Sequence, residues 1–160
     1  MMIMRALFCL FLPLAATACG FQPVYGTSAS IANSPLQIDE IPGRAGHELR
    51  EALILESRNG LPGMPASGGN MVVQLEETIL STGFRSDGSA FRATMRLDAR
   101  YIVDLGETAL QGEETAEFSY DVPNAPFADV AVQNDAAQRV ASDLARKIVD
   151  DLIFQLDTAG

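Results

Sequence analysis

A chain of 160 residues has room for one domain with a real core, and its 21 acidic residues against 11 basic ones set a formal net charge of −10. That balance repels nucleic acid and anionic surfaces on average, so an anionic ligand has to find a local basic patch. With two cysteines, one histidine and no tryptophan, a zinc or copper site built from nitrogen and sulfur ligands is excluded, and most metal-assisted hydrolysis with it.

The first element is a leader. Met1-Met2-Ile3-Met4-Arg5 carries the only charge ahead of Asp39, a positive one. Ala6 to Ala18 is then uncharged for about a dozen residues, short of the roughly 20 that span a bilayer but right for the apolar region of a signal peptide. Small residues at Ala16, Thr17 and Ala18 let a peptidase bind the chain extended, and Cys19 supplies the thiol that a bacterial lipoprotein pathway acylates before cleavage. Residues 1–18 are therefore predicted to be a lipoprotein signal peptide, with Cys19 as the lipidation site and first mature residue. The alternative is an ordinary secretory signal cut near Ala18, which leaves one unpaired thiol in an oxidising compartment. Burial of acyl chains contributes about 0.8 kcal/mol per CH₂, so two or three chains anchor a protein stably. Gly20, where inner-membrane lipoproteins typically carry aspartate, favours the outer membrane. Removal of the leader leaves 142 residues, takes away Cys9 and Arg5, and sets ten basic against 21 acidic residues, a net charge of −11.

Residues 19–35 read as a lipidated tether rich in Gly, Ser, Ala and Pro, although Phe21-Gln22-Pro23-Val24-Tyr25-Gly26 is more apolar than a spacer needs. Leu36 to Ile41 alternates like a short strand and ends at the turn Pro42-Gly43. From Arg44 to Arg58 the spacing is helical, with Leu49, Ala52, Leu53 and marginally Glu56 sharing a face with His47 and Glu48; Asn59-Gly60-Leu61-Pro62-Gly63 stops it. After the loop Ser67-Gly68-Gly69-Asn70, Met71 to Thr82 forms a strand with Met71, Val73, Leu75 and Ile79 inward and Glu77 intruding. Ser86-Asp87-Gly88-Ser89 is a turn. Phe91, Ala93, Met95, Leu97, Ala99, Tyr101, Val103 and Leu105 then occupy every odd position of the cleanest strand in the chain, and only Ile102 breaks the polar run between them. Gly106-Glu107 suits a tight hairpin turn, and Leu110, Ala116, Phe118 and Tyr120 face inward on the returning strand. Asn124 and Pro126 open a long helix whose apolar stripe runs through Val130, Ala137, Val140, Ala141, Leu144, Ile148 and Leu152.

Strand, helix, three strands, helix implies one α+β domain over residues 36–160. Its predicted architecture is a two-layer sandwich, with both helices packed on one face of a roughly four-stranded mixed or antiparallel sheet. The other face is left to water and carries Arg92, Arg96 and Arg100 in a line with gaps of roughly 13 Å. Guanidinium groups bind phosphates and carboxylates in fork geometry, so this line is a possible contact for an anionic ligand or acidic partner; cross-strand pairing with neighbours such as Glu76 and Glu117 is the competing use. No catalytic or metal-binding residue is predicted. Glu76-Glu77, Glu113-Glu114 and Asp150-Asp151 are sequence neighbours whose side chains diverge, His47 has no nucleophile elbow to serve, and Ser67-Gly68-Gly69 lacks the lysine of a phosphate loop.

The run Cys19-Gly20-Phe21-Gln22-Pro23-Val24-Tyr25-Gly26, behind its leader, resembles the start of the lipopolysaccharide-assembly lipoprotein family LptE, in particular its alphaproteobacterial members. Chain length and the order β-α-β-β-β-α, closed by a long helix, extend the similarity over the mature domain. The resemblance implies a non-enzymatic outer-membrane lipoprotein with no cofactor beyond the covalent lipid on Cys19. Such a protein is partner and plug of the β-barrel LptD, assists barrel assembly and helps deliver lipopolysaccharide to the outer leaflet, with no role in nucleic-acid binding. It also implies that Phe21, Pro23 and Tyr25 dock on the barrel and that basic residues of the domain contact lipopolysaccharide; for that role, or for barrel contact, Arg92, Arg96 and Arg100 are the candidates that strand geometry offers. A different class remains open at this point: a periplasmic lipoprotein serving as interaction module of another envelope machine, for protein insertion or lipid transport.

Overall fold

The computed structural model describes residues 36–159. The leader, Cys19, and the tether residues Phe21, Pro23 and Tyr25 lie outside the described residues. The elements are strand β1 (Leu36–Ile38), helix α1 (Arg44–Ser57), strands β2 (Gly69–Phe84), β3 (Ala90–Asp104) and β4 (Ala109–Asp121), and helix α2 (Pro126–Ala159). The sheet order is β1-β2-β3-β4, with β1 parallel to β2 and the other pairs antiparallel. The fold is the expected α+β arrangement with a mixed four-stranded sheet. Parallel pairing of β1 and β2 needs a crossover, and α1 supplies it.

Glycines set the sharp turns. Gly43, at φ 87°, begins α1 and accepts the first helical hydrogen bond from His47 N–H at 3.0 Å. The β2–β3 connection closes through Arg85 and Ser89, with Gly88 at φ 84° and Asp87 accepting from Ser89 N–H at 2.9 Å. Leu105 N–H donates to Thr108 C=O at 2.9 Å across Gly106-Glu107, the two-residue turn expected there.

The core lies between the helices and the odd-numbered side of β3, where Ala93 to Val103 are buried without exception. Leu49 and Leu53 of α1 and Val140, Leu144, Ile148 and Leu152 of α2 meet them. The buried face of α1 is Ala45, Gly46, Leu49, Leu53 and Ser57, so His47 and Glu56, placed by spacing near that face, are in water. The Ser57 hydroxyl is tolerated inside because it donates to Leu53 C=O at 2.7 Å. Asp129 N–H donates to Ala125 C=O, which makes Ala125 the N-cap and Pro126 the first helical residue; Asn124 is one position too early to cap.

Three residues expected inside are outside: Ile79 is 45 % exposed, Phe91 42 % and Val130 53 %. All three lie at the end of the sheet that holds the β2–β3 turn. There the strands outrun their cover: among the described residues α1 packs chiefly on β1 and α2, and α2 on β4 and β3, rather than on β2. Phe91 lays its ring against Gly83, beside the bulge at Ser81 to Phe84.

Tyr101 ties sheet to helix. Its hydroxyl, 1 % exposed as a residue, donates to the Asp151 carboxylate, which also accepts from Gln155 Nε2 at 2.7 Å. Burial first, and the Asp151 carboxylate second, push the Tyr101 ionisation well above the ordinary tyrosine value of about 10. A raised folded-state pKa gives stability that is complete below the unfolded value and declines as pH climbs past it. Urea midpoints measured from pH 8.5 upward should therefore hold to about pH 10 and then fall. Tyr101→Phe should make that fall shallower without abolishing it, because Tyr120 is also raised, by burial and then by the charges of Asp129 and Glu77.

Candidate functional site

Even-numbered positions of β3 point away from the helices, which brings Arg92, Arg96 and Arg100 to one open face, as the alternation predicts. The register of β4 gives each an acid directly opposite: Arg92 faces Asp121, Arg96 faces Glu117 and Arg100 faces Glu113. Arg92 Nε lies 3.2 Å from Asp121 Oδ1, Arg96 Nη1 3.3 Å from Glu117 Oε1, and Arg100 Nε 2.8 Å from Glu113 Oε1. Arg96 also forks onto its own strand, with Nε 2.9 Å from Asp98 Oδ2 and Nη2 2.9 Å from Asp98 Oδ1. Thr115 donates to Asp98 at 2.6 Å, and Thr94 and Ser119 share a hydrogen bond at 2.9 Å.

The hydrogen bonds from Arg96 and then Thr115 hold the Asp98 carboxyl below the usual carboxylate range, and the same Asp98 contact raises Arg96. These groups stand in water, with side-chain exposures of 35–77 % along the ladder, so solvent screening leaves each pair with little weight in stability. Their consequence is charge balance. Glu76, Asp98, Asp104, Glu113, Glu117 and Asp121 outnumber the three arginines on this face, so an anion approaching a guanidinium meets neighbouring carboxylates of like charge.

Of the partners named from sequence, Glu117 is found on Arg96, whereas Glu76 faces Asp98. The missed partners Glu113 and Asp121 were within reach of sequence. Counting outward from Leu105 and Thr108 across Gly106-Glu107 places them opposite Arg100 and Arg92. Ile102, the break in the polar run, faces Val72 across the β2–β3 ladder, and both are about half exposed, an apolar spot on a charged surface. Among the described residues no group of three or more His, Cys, Asp or Glu is placed to hold a metal ion, and no helix is long and apolar enough to cross a membrane.

A mixed four-stranded sheet with one face under two helices and the other a ladder of ion pairs defines a small two-layer α+β domain. A family model described as LptE, lipopolysaccharide-assembly, matches residues 27–152, and the chain belongs to that family. A crystal structure of a Caulobacter crescentus CB15 lipoprotein is similar at 28 % identity and a TM-score of 0.61, covering 82 % of this chain and 96 % of its own. The rare lipoprotein B of Shewanella oneidensis shares the fold at 12 % identity and a TM-score of 0.58, over 78 % of this chain and 96 % of that one. None of the curated proteins matches the sequence significantly.

Proposed function

We propose that this protein is an outer-membrane lipoprotein that partners and plugs an LptD-type β-barrel, assisting its assembly and the delivery of lipopolysaccharide to the outer leaflet. Membership of the lipopolysaccharide-assembly family over residues 27–152 carries this reading. The open sheet face supports it, since a surface rich in hydrogen-bonding and charged side chains suits the polar lumen of a barrel. The protein works by binding, with no cofactor beyond a lipid on Cys19 that anchors it to the periplasmic leaflet, and with Phe21, Pro23 and Tyr25 docking on the barrel.

Affinity purification of the native lipoprotein from membranes should bring a large β-barrel with it; a purified complex without one overturns the reading. Cys19→Ala should leave an unacylated precursor that no longer fractionates with the outer membrane, and normal fractionation of that variant removes the anchor from the proposal. Replacing Arg92, Arg96 and Arg100 together by glutamate turns the ladder into facing rows of like charge and should weaken capture of barrel or lipopolysaccharide. Unchanged capture by a variant whose circular dichroism matches the parent assigns the three arginines to cross-strand pairing alone.

A further inference from the structure

We propose that the free edge of β2 is a strand-addition site, which takes an extended polypeptide segment bearing a basic residue at its centre. β1 covers β2 only from Gly69 to Met71, and among the described residues nothing pairs with that edge further along. Asp39 N–H donates to Met71 C=O at 3.0 Å, which fixes the direction of the Met71 backbone groups toward β1. Along a strand paired antiparallel, the N–H and C=O of one residue point to the same side and alternate with a period of two. Leu75, Glu77 and Ile79 therefore present their N–H and C=O groups to the open edge, while Gln74, Glu76 and Thr78 turn theirs to β3.

Sheet edges are ordinarily blunted by charged side chains, proline, a bulge or a covering helix. Between Gly69 and Phe84 there is no lysine, arginine or proline, and the two charges present, Glu76 and Glu77, turn away acidic segments while leaving the edge open to basic ones. The bulge lies beyond Ile79, at Ser81 to Phe84, and α1 packs on β1 and α2. Exposed apolar side chains flank the edge on both faces, Ile79 on the helix side and Leu80, 54 % exposed, on the other. Such an edge offers main-chain hydrogen bonds for affinity and alternate side chains for selection.

Charge chooses the occupant. Glu76 and Glu77 are adjacent, exposed and on opposite faces of the strand, so an incoming acidic residue at that level meets a like charge whichever face it takes, and a lysine or arginine meets a partner. A second copy of this chain brings the same two glutamates and a net charge of −10, which sets it behind a basic segment of another protein. The edge stands on the sheet geometry and is independent of the barrel reading above.

Amide hydrogen exchange followed by NMR on the mature lipoprotein in detergent tests this. The probe is an acetylated nine-residue peptide of alternating Thr and Val with a central Lys, and the control carries Glu at its centre. Without peptide, the amides of Leu75, Glu77 and Ile79 should exchange freely while those of Gln74, Glu76 and Thr78 are protected. The Lys peptide should slow the first three at least about tenfold, and the Glu peptide far less. Ile79→Pro deletes one outward N–H without touching the ladder to β3, and should abolish the protection of Leu75 and Glu77 while keeping the parent's melting temperature. Should that variant not fold, Glu77→Lys serves, and should reverse the preference toward the Glu peptide. Edge amides left unprotected by the Lys peptide, unchanged protection in the folded proline variant, no reversal in Glu77→Lys, or protection before any peptide in a protein of dimeric mass would each overturn the proposal.

Discussion

Replacing Leu144 by alanine is expected to cost about 3 kcal/mol and to lower the melting temperature by roughly 10 °C. Leu144 has no exposed surface and lies midway along the buried stripe of α2. Because α2 packs on α1, β3 and β4 at once, the space left by the missing carbons opens between both layers, and neither can close on it without leaving the other. The matching control is Ile102→Ala on the open face, where the side chain is 52 % exposed and truncation should change stability by less than about 0.5 kcal/mol. Urea and thermal melts of the two variants decide the matter. A Leu144→Ala loss below about 1 kcal/mol would mean that α2 is held by its polar contacts rather than by this stripe.

Period-two and period-three-to-four patterning was enough to place every element of the domain, because each has one buried side and the alternation of β3 leaves no other register for it. What patterning does not contain is the length of the neighbouring element. Ile79, Phe91 and Val130 have the phase of core residues and end in water because, among the described residues, the two helices pack chiefly on each other, β1, β3 and β4, a fact of tertiary layout that leaves no mark on the residues themselves. The N-cap was misplaced by one position for a related reason: Asn124 has the better side chain, but proline fixes the first helical residue at Pro126 and the carbonyl that accepts from Asp129 is that of Ala125. The arginine line was legible, and so was its neutralisation, since the two-residue turn at Gly106-Glu107 sets which acids face it. The edge of β2 left unpaired among the described residues was not, because whether a strand has a neighbour depends on β1 stopping after three residues.

Gly112→Ala is expected to destabilise by about 2–3 kcal/mol, against the usual sign for a glycine in a strand, where alanine is better by about 0.5–1 kcal/mol. Gly112 sits opposite Tyr101 in the β3–β4 ladder, and a Cβ there would lie 2.6 Å from Tyr101 Cζ and 2.7 Å from Asp151 Oδ2, as well as against the tyrosine oxygen. Neither neighbour can yield cheaply: the ring is buried, and the carboxylate is held by Tyr101 and Gln155. The gap that Gly112 leaves in the inward series of β4 is therefore the space that the largest inward residue of β3 occupies, and the hydrogen bond from sheet to helix runs through it. Cutting the ring back to leucine should relieve the clash, so Tyr101→Leu and Gly112→Ala together should cost less than the sum of the two alone, by about 1–2 kcal/mol in a double-mutant cycle read from urea melts. Strict additivity, or a single Gly112→Ala variant more stable than the parent, would show that the backbone at this position moves aside and that the tie between Tyr101 and Asp151 does not depend on a bare Cα.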